Sequence, residues 1–406
     1  MTATISSGTE RPVVDLLDPE LYRSNPHHLW EWMRRNEPVY RDARNGLWGV
    51  TRHADVQDVE RRSSVFVSGV GYRANHFADE VNMIAQDDPR HRQQRMLVQP
   101  ELTQKAVARR APEIAALVDE LLTAIESSGG RNVEIVGALA GQLPARTTCR
   151  LLGFPEEAWP QLKSWSERLM RTDMIQRDGR QFSEFMDANI EFATMLGSIA
   201  PAKLEAAAAG CPMHDFLSIW LTAEIDGQRL PPEAVVHETG LFIAGGAATT
   251  RTAISHGRRA FADHPEQWEA MAADPSLVGG AVEEVLRWVT PLNNFFRRAI
   301  VDSTIGDQPV QRGDRVILLY PSANRDEAVF DDPFRFDIGR SPNPHLAFGF
   351  GTHLCVGANF ARASLAAVFG AMSRRFRAPV VVEEPDVEAN IFARAVRSSR
   401  FDLITR

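Results

Sequence analysis

Pro231 and Pro232, followed by Glu233, open a stretch of some 30 residues that can stay helical to about Phe261. Proline at a helix start and an acid in the first turn both favour that start. At 1.5 Å per residue such a run spans about 45 Å, enough to cross a whole domain. Its middle, through Val236, Leu241, Phe242 and Ile243 to Ala248, is apolar on nearly every side. That pattern predicts a central buried helix, so whatever the chain folds into must be built around this rod.

The flanking sequence fits a mainly α fold with a small β-rich region. Apolar spacing predicts helices over 28–36, 111–125 (Ile114, Leu117, Leu121, Leu122) and 280–289. Short strands are expected at 39–41, 47–51 and 315–319, a long loop over 64–88, and a Pro- and Asp-rich meander over 323–344. With no repeat, low-complexity tract or linker, residues 1–406 read as one domain, of which 1–15 form a flexible lead-in. The chain is 44% hydrophobic and 24% charged, which excludes wholesale disorder. A net charge of −8 argues against nucleic acid as a partner. The start of the chain lacks a secretory pattern, and no run approaches the ~20 apolar residues of a membrane span. Three cysteines, Cys149, Cys211 and Cys355, are too few for a disulfide framework and suit a reducing cytoplasm.

The chemistry concentrates in Phe348-Gly349-Phe350-Gly351-Thr352-His353-Leu354-Cys355-Val356-Gly357. Gly349, Gly351 and Gly357 can take positive φ or let backbone pass close to a flat partner. Cys355 stands just before a helix whose apolar residues Leu365, Val368, Phe369 and Met372 recur at 3/4 spacing. A thiol there sees the positive end of the helix dipole, which favours the thiolate. A thiolate cradled by glycines can hold a haem iron and push electron density toward O–O cleavage. For a cysteine taken alone, the alternatives are a structural thiol or a nucleophile paired with His353. Cys149 and the Cys211-Pro212-Met213-His214 segment lack such surroundings and are read as structural or incidental.

At every position the ten-residue array resembles the haem-ligand loop of the cytochrome P-450 family, and the resemblance extends over about 40–397. It implies a single prism-like domain, haem b as cofactor and Cys355 as the axial thiolate. It also implies a propionate clamp of His91 and Arg95, spaced i, i+4, with Arg297 and His353. Phe348, Gly349 and Gly357 belong to the same cofactor-binding set. Glu284 and Arg287, with Arg340 from the meander, correspond to the family's buried ion network behind the haem. On the central helix the family carries a small-Gly-x-acid-Thr element that relays protons. Here it reads Ala244-Gly245-Gly246-Ala247-Ala248-Thr249, so Gly245 and Thr249 fit while Ala248 replaces the acid.

The implied activity is hydroxylation of an unactivated C–H bond with dioxygen and two electrons. The alternative is atypical haem-thiolate chemistry (peroxide-driven oxidation, coupling or rearrangement), suggested by Ala248. The family's substrate-facing segments offer Val70, Tyr72, Phe77, Met83, Phe295, Phe296, Ile391 and Phe392, with polar points at Asn82, Asn293 and Asn294. Such a pocket suits an apolar sterol, terpenoid, lipid or polyketide. Segments 322–327 and 343–347 are similar to those of actinobacterial members acting on sterols and branched lipids. No nicotinamide or flavin fingerprint occurs. Electrons are therefore expected from a soluble ferredoxin and its reductase, docking on Arg109, Arg110, Arg362 and 374–377.

Overall fold

The central helix runs Pro232–Asp263, 32 residues or about 48 Å, in the computed structural model. The structure describes residues 11–24, 26–174, 179–211 and 214–406. The helix passes through two large cores: Ala234, Val235, Ile243 and Ala247 pack into one, and Ala253, Ile254, Ala260 and Phe261 into the other. Ala248 belongs to a smaller cluster with Met170, Phe392 and Ala393. The helix is less uniformly apolar inside than its sequence suggests, because Glu238, Arg251 and Arg258 are buried on it. Thr239, Thr249 and Thr252 return their hydroxyls to carbonyls four residues back, which satisfies them without outside partners.

Helices His27–Asn36 and Val278–Val289 lie where the apolar spacing puts them. Helix Gln104–Ser127 begins seven residues before the start that its apolar spacing predicts, because the Thr103 side chain caps it by accepting the Ala106 N–H. Its early residues Lys105, Arg109 and Arg110 face outward and give no periodic signal.

The principal sheet orders its strands Val39–Asp42, Leu47–Val50, Arg315–Leu319, Asn294–Ala299 and Phe66–Val67. Arg315–Leu319 runs parallel to Leu47–Val50 and antiparallel to Asn294–Ala299, with Ile317 opposite Phe296 and Val316 opposite Arg297. Residues 1–10 of the lead-in fall outside the described residues. Beyond them Arg11 pairs with Glu37 at 2.6 Å, and the Val14 N–H donates to the Tyr40 hydroxyl at 2.9 Å. Among the described residues no helix is long and apolar enough to cross a membrane.

Candidate active site

Gly349 and Gly351 both adopt left-handed backbone, at φ 69° and 66°. Each closes onto the end of helix His53–Arg61. A Cβ at Gly351 would lie 2.6 Å from the Glu60 carbonyl oxygen, and one at Gly349 would lie 3.2 Å from Glu60 Oε1. The Cys355 N–H then donates to Phe348 O at 2.9 Å, pinning the loop before helix Ala358–Arg375. Gly357 has ordinary backbone (φ −86°). Its N–H donates to the Cys355 sulfur, and a Cβ there would sit 3.9 Å from Sγ.

Cys355 opens into an interior cavity of about 720 Å³. Enclosure by protein raises its thiol pKa, against the pull of the Gly357 N–H and of Arg95 and Arg362. Cys149 is buried and its thiol is pushed up to about 12, an inert core residue, whereas Cys211 is exposed. Pro212 and Met213, in the Cys-x-x-His pair, fall outside the described residues.

His91, Arg95, Arg297 and His353 all line the cavity together with Cys355. The His91 and His353 rings lie 4.2 Å apart, and Asp88 Oδ1 stands 3.2 Å from His91 Nδ1. Burial, together with the positive charge of Arg297, His91 and Arg95, pushes His353 down to about 2. Burial likewise lowers His91 and Arg95. Arg95 and Arg297 carry the charge of this cluster and the imidazoles beside them are held neutral, so the site calls for anions between the guanidiniums. Glu60 was not foreseen from the sequence, where nothing in its spacing marks it. Its Oε1 accepts from Tyr320 at 2.8 Å and from Arg297 at 3.4 Å, and Oε2 lacks a partner among the described residues. Burial pushes Glu60 up to about 7, so it does not neutralise the cluster fully near pH 7.

The central helix crosses the cavity through Gly245, Gly246 and Thr249. A Cβ at Gly245 would meet nothing within 4 Å, so open space lies beside it. Thr249 Oγ1 donates to Gly245 O at 2.8 Å. Ala248 points away, into Met170 and Phe392. The donor set fits haem: one soft sulfur, two guanidiniums and two imidazoles for two carboxylates, and apolar walls such as Val356, Phe360 and Leu365.

Of the expected substrate-facing residues, Tyr72, Phe77, Asn82, Met83, Phe295 and Phe392 line the cavity. Phe296 and Ile391 do not. Side chains alternate along strand Asn294–Ala299, so Phe295 and Arg297 face the cavity while Phe296 enters the opposite core with Ile391. Asn293 and Asn294 are spent on the backbone of Asn390 and Ile391, and Val70 lies outside the cavity lining. Nothing in the local sequence marks Arg73, which pairs with Asp173 at 3.1 Å and lies 4.0 Å from the Phe392 ring, holding that ring at the cavity wall.

Behind the cysteine loop, Glu284 and Arg287 form a fully buried bidentate pair, 2.7 Å at each contact. Arg340 Nε approaches Glu284 at 3.3 Å, Asn343 donates to it at 3.1 Å, and Arg287 also reaches Asn324 O, Pro333 O and Arg335 O. Glu20 and Arg23 form an exposed surface pair.

The cytochrome P-450 family model matches residues 172–399. Among curated proteins, the chain is similar to steroid C26-monooxygenase of Mycobacterium tuberculosis, 38% identical over 90% of each chain. It is also similar to linalool 8-monooxygenase of Pseudomonas putida, 32% identical over 91% of this chain and 93% of the relative. Among solved structures, a Mycobacterium marinum cytochrome P-450 in complex with pseudoionone superposes with TM-score 0.88 at 31% identity, covering 98% of this chain and all of the other.

Proposed function

The chain belongs to the cytochrome P-450 family, and from that premise we propose how its own residues divide the work of a haem-thiolate monooxygenase acting on an apolar small molecule. The observation that carries the reading is one cavity joining Cys355, the cationic clamp and the aromatic wall of Phe77, Phe295 and Phe392. Bound haem supplies dioxygen activation, favoured by an electron-rich sulfur ligand. Cys355 provides that sulfur, its anionic form supported by the Gly357 N–H and Arg95. Arg95, Arg297, His91 and His353 would hold the two propionates, while Gly245 keeps open space where the central helix lines the cavity. Glu284, Arg287 and Arg340 fix the core behind the loop. Linalool, steroids and methyl-branched lipids are the substrates named for relatives, and a terpenoid, sterol or branched lipid is the class proposed here.

Proton delivery falls to Thr249. The neighbouring side chain, Ala248, is packed in an apolar cluster and carries no acid. Thr249→Ala is expected to lower product formed per NADH by about tenfold or more, within the range that positioned proton-transfer groups contribute. Unchanged coupling would remove Thr249 from the relay. Ala248 also favours a second reading, peroxide-driven chemistry, and turnover supported by hydrogen peroxide against turnover supported by ferredoxin separates the two. The first test of the whole reading is a compound screen for the spectral shift caused when substrate displaces iron-bound water, followed by product analysis.

The proposed electron donor is an acidic ferredoxin with its reductase, in the cytoplasm. Several arginines of the expected docking set are already committed: Arg362 pairs with Glu283 at 2.7 Å, Arg375 with Asp119 and Glu126, and Arg110 with Glu101 at 3.7 Å. Arg109, Arg374 and Arg377 are exposed. Reversing charge at these three should slow reduction and flatten its salt dependence. An unchanged rate places the partner elsewhere.

A further inference from the structure

The central helix lacks the acid beside Thr249, yet it buries another. Glu238 is fully enclosed. Its Oε1 accepts from the Met83 N–H at 2.9 Å and from Gln94 Nε2 at 3.1 Å, and Gln94 Nε2 also donates to Val81 O at 2.8 Å. Among the described residues, two buried oxygens of this arrangement have no partner: Glu238 Oε2 and Gln94 Oε1. With Glu238 ionised both are acceptors, and an unsatisfied charge and an unsatisfied carbonyl would share the interior, which is costly. A proton on Oε2 resolves both at once, because a carboxylic acid and a primary amide can exchange two hydrogen bonds in a closed ring.

We propose that Glu238 is a positioning residue that works as a neutral carboxylic acid, donating from Oε2 to Gln94 Oε1, and that this acid–amide pair locks the cavity roof and the clamp helix onto the central helix. Gln94 lies on helix Arg90–Val98 beside Arg95 and one turn from His91. Segment 81–83 contributes Asn82 and Met83 to the cavity wall. The preceding central-helix residue joins the same fastening, since His237 Nδ1 accepts the Val81 N–H at 3.2 Å.

The electrostatic surroundings agree. Burial, opposed by the Met83 N–H and by Arg90 on the clamp helix, pushes Glu238 up to about 8. Glu80, at the edge of the roof segment, is occupied by Tyr72 and Asn82, each at 2.7 Å. Loss of the Glu238 proton turns two acceptors toward each other and loosens the roof. Its folded value lies above the ordinary 4.5, so the folded chain keeps a proton between pH 4.5 and about 8 that the unfolded chain has released. Stability therefore falls as pH rises through that window and levels off above it.

The effect on ligand binding rests on reading the cavity as a haem-bearing substrate pocket; the proton on Glu238 does not. The experiment uses haem-loaded wild type, E238Q and E238A, with 4-phenylimidazole as an apolar probe followed by the haem absorption shift. Wild-type affinity should fall about tenfold between about pH 6.5 and about pH 9.5, the equivalent of one hydrogen bond. E238Q, whose amide can donate to Gln94 and still accept from Met83, should hold the low-pH affinity across the range. E238A should bind weakly throughout. Infrared difference spectra should show a protonated carboxylic carbonyl band in wild type that E238Q lacks, and E238Q should flatten the fall of thermal midpoint with pH. E238Q as weak as E238A at low pH, or a wild type without the carbonyl band, overturns the proposal. A carbonyl band with no haem shift for any variant would instead sink the haem reading and leave the neutral acid standing.

Discussion

Cys355→Ser should fold and yet lose turnover by at least about a thousandfold, roughly 4 kcal/mol of barrier at 1.36 kcal/mol per decade. The fold should survive because the loop is held through backbone: Cys355 N–H to Phe348 O, and Gly349 and Gly351 against the end of helix His53–Arg61. A serine hydroxyl fits the same space and can accept the Gly357 N–H. It does not ionise near neutral pH, so it cannot supply an electron-rich anion, the form that Arg95 and the Gly357 amide favour against burial at Cys355. The measurements are circular dichroism for the fold, the carbon monoxide difference spectrum of the reduced protein for the ligand, and product formation for activity. A variant with the parent's spectrum or activity would show that the sulfur is not the ligand.

Arg287→Ala should destabilise the protein by about 3–5 kcal/mol, the usual consequence of stranding one member of a buried ion pair. Its guanidinium meets Glu284 twice and three main-chain carbonyls from the meander, with neither side chain exposed. After the change, Glu284 would depend on Arg340 at 3.3 Å and Asn343 at 3.1 Å, and three carbonyls would lose a donor. Urea unfolding of haem-loaded protein measures the loss. The double variant Glu284→Gln, Arg287→Met should be less unstable than Arg287→Ala alone, because it leaves no uncompensated carboxylate. A loss under about 1 kcal/mol for Arg287→Ala would mean the network does not hold the core.

The parts legible in sequence were those with a strong local code. The central helix announced itself by prolines and a largely apolar middle, and the cysteine loop by its glycines. His91 and Arg95 shared a helix face at i, i+4. What stayed hidden depends on partners distant along the chain. Glu60 matters only because the cysteine loop folds over it, and Arg73 only because Asp173 and Phe392 converge on its guanidinium. Phe296 and Ile391 looked as suitable for the pocket as Phe295 and Phe392, yet strand phase turns Phe296 into the other core, where Ile391 from the loop before the last strand joins it. Glu238 shows no pattern in sequence, since its environment is assembled from Gln94 and Met83, about 150 residues upstream.

Strand Asn294–Ala299 works as a ruler. Phe295 and Arg297 stand on its cavity face two residues, or about 6.7 Å, apart, so a single rigid segment sets the spacing between the aromatic wall and the guanidinium proposed to hold a cofactor carboxylate. Evolution or engineering that reshapes specificity by sliding or tilting this segment must disturb cofactor retention in the same move. Selectivity can drift freely only through contacts carried elsewhere, such as Phe77 stacked on Phe185 at 5.5 Å.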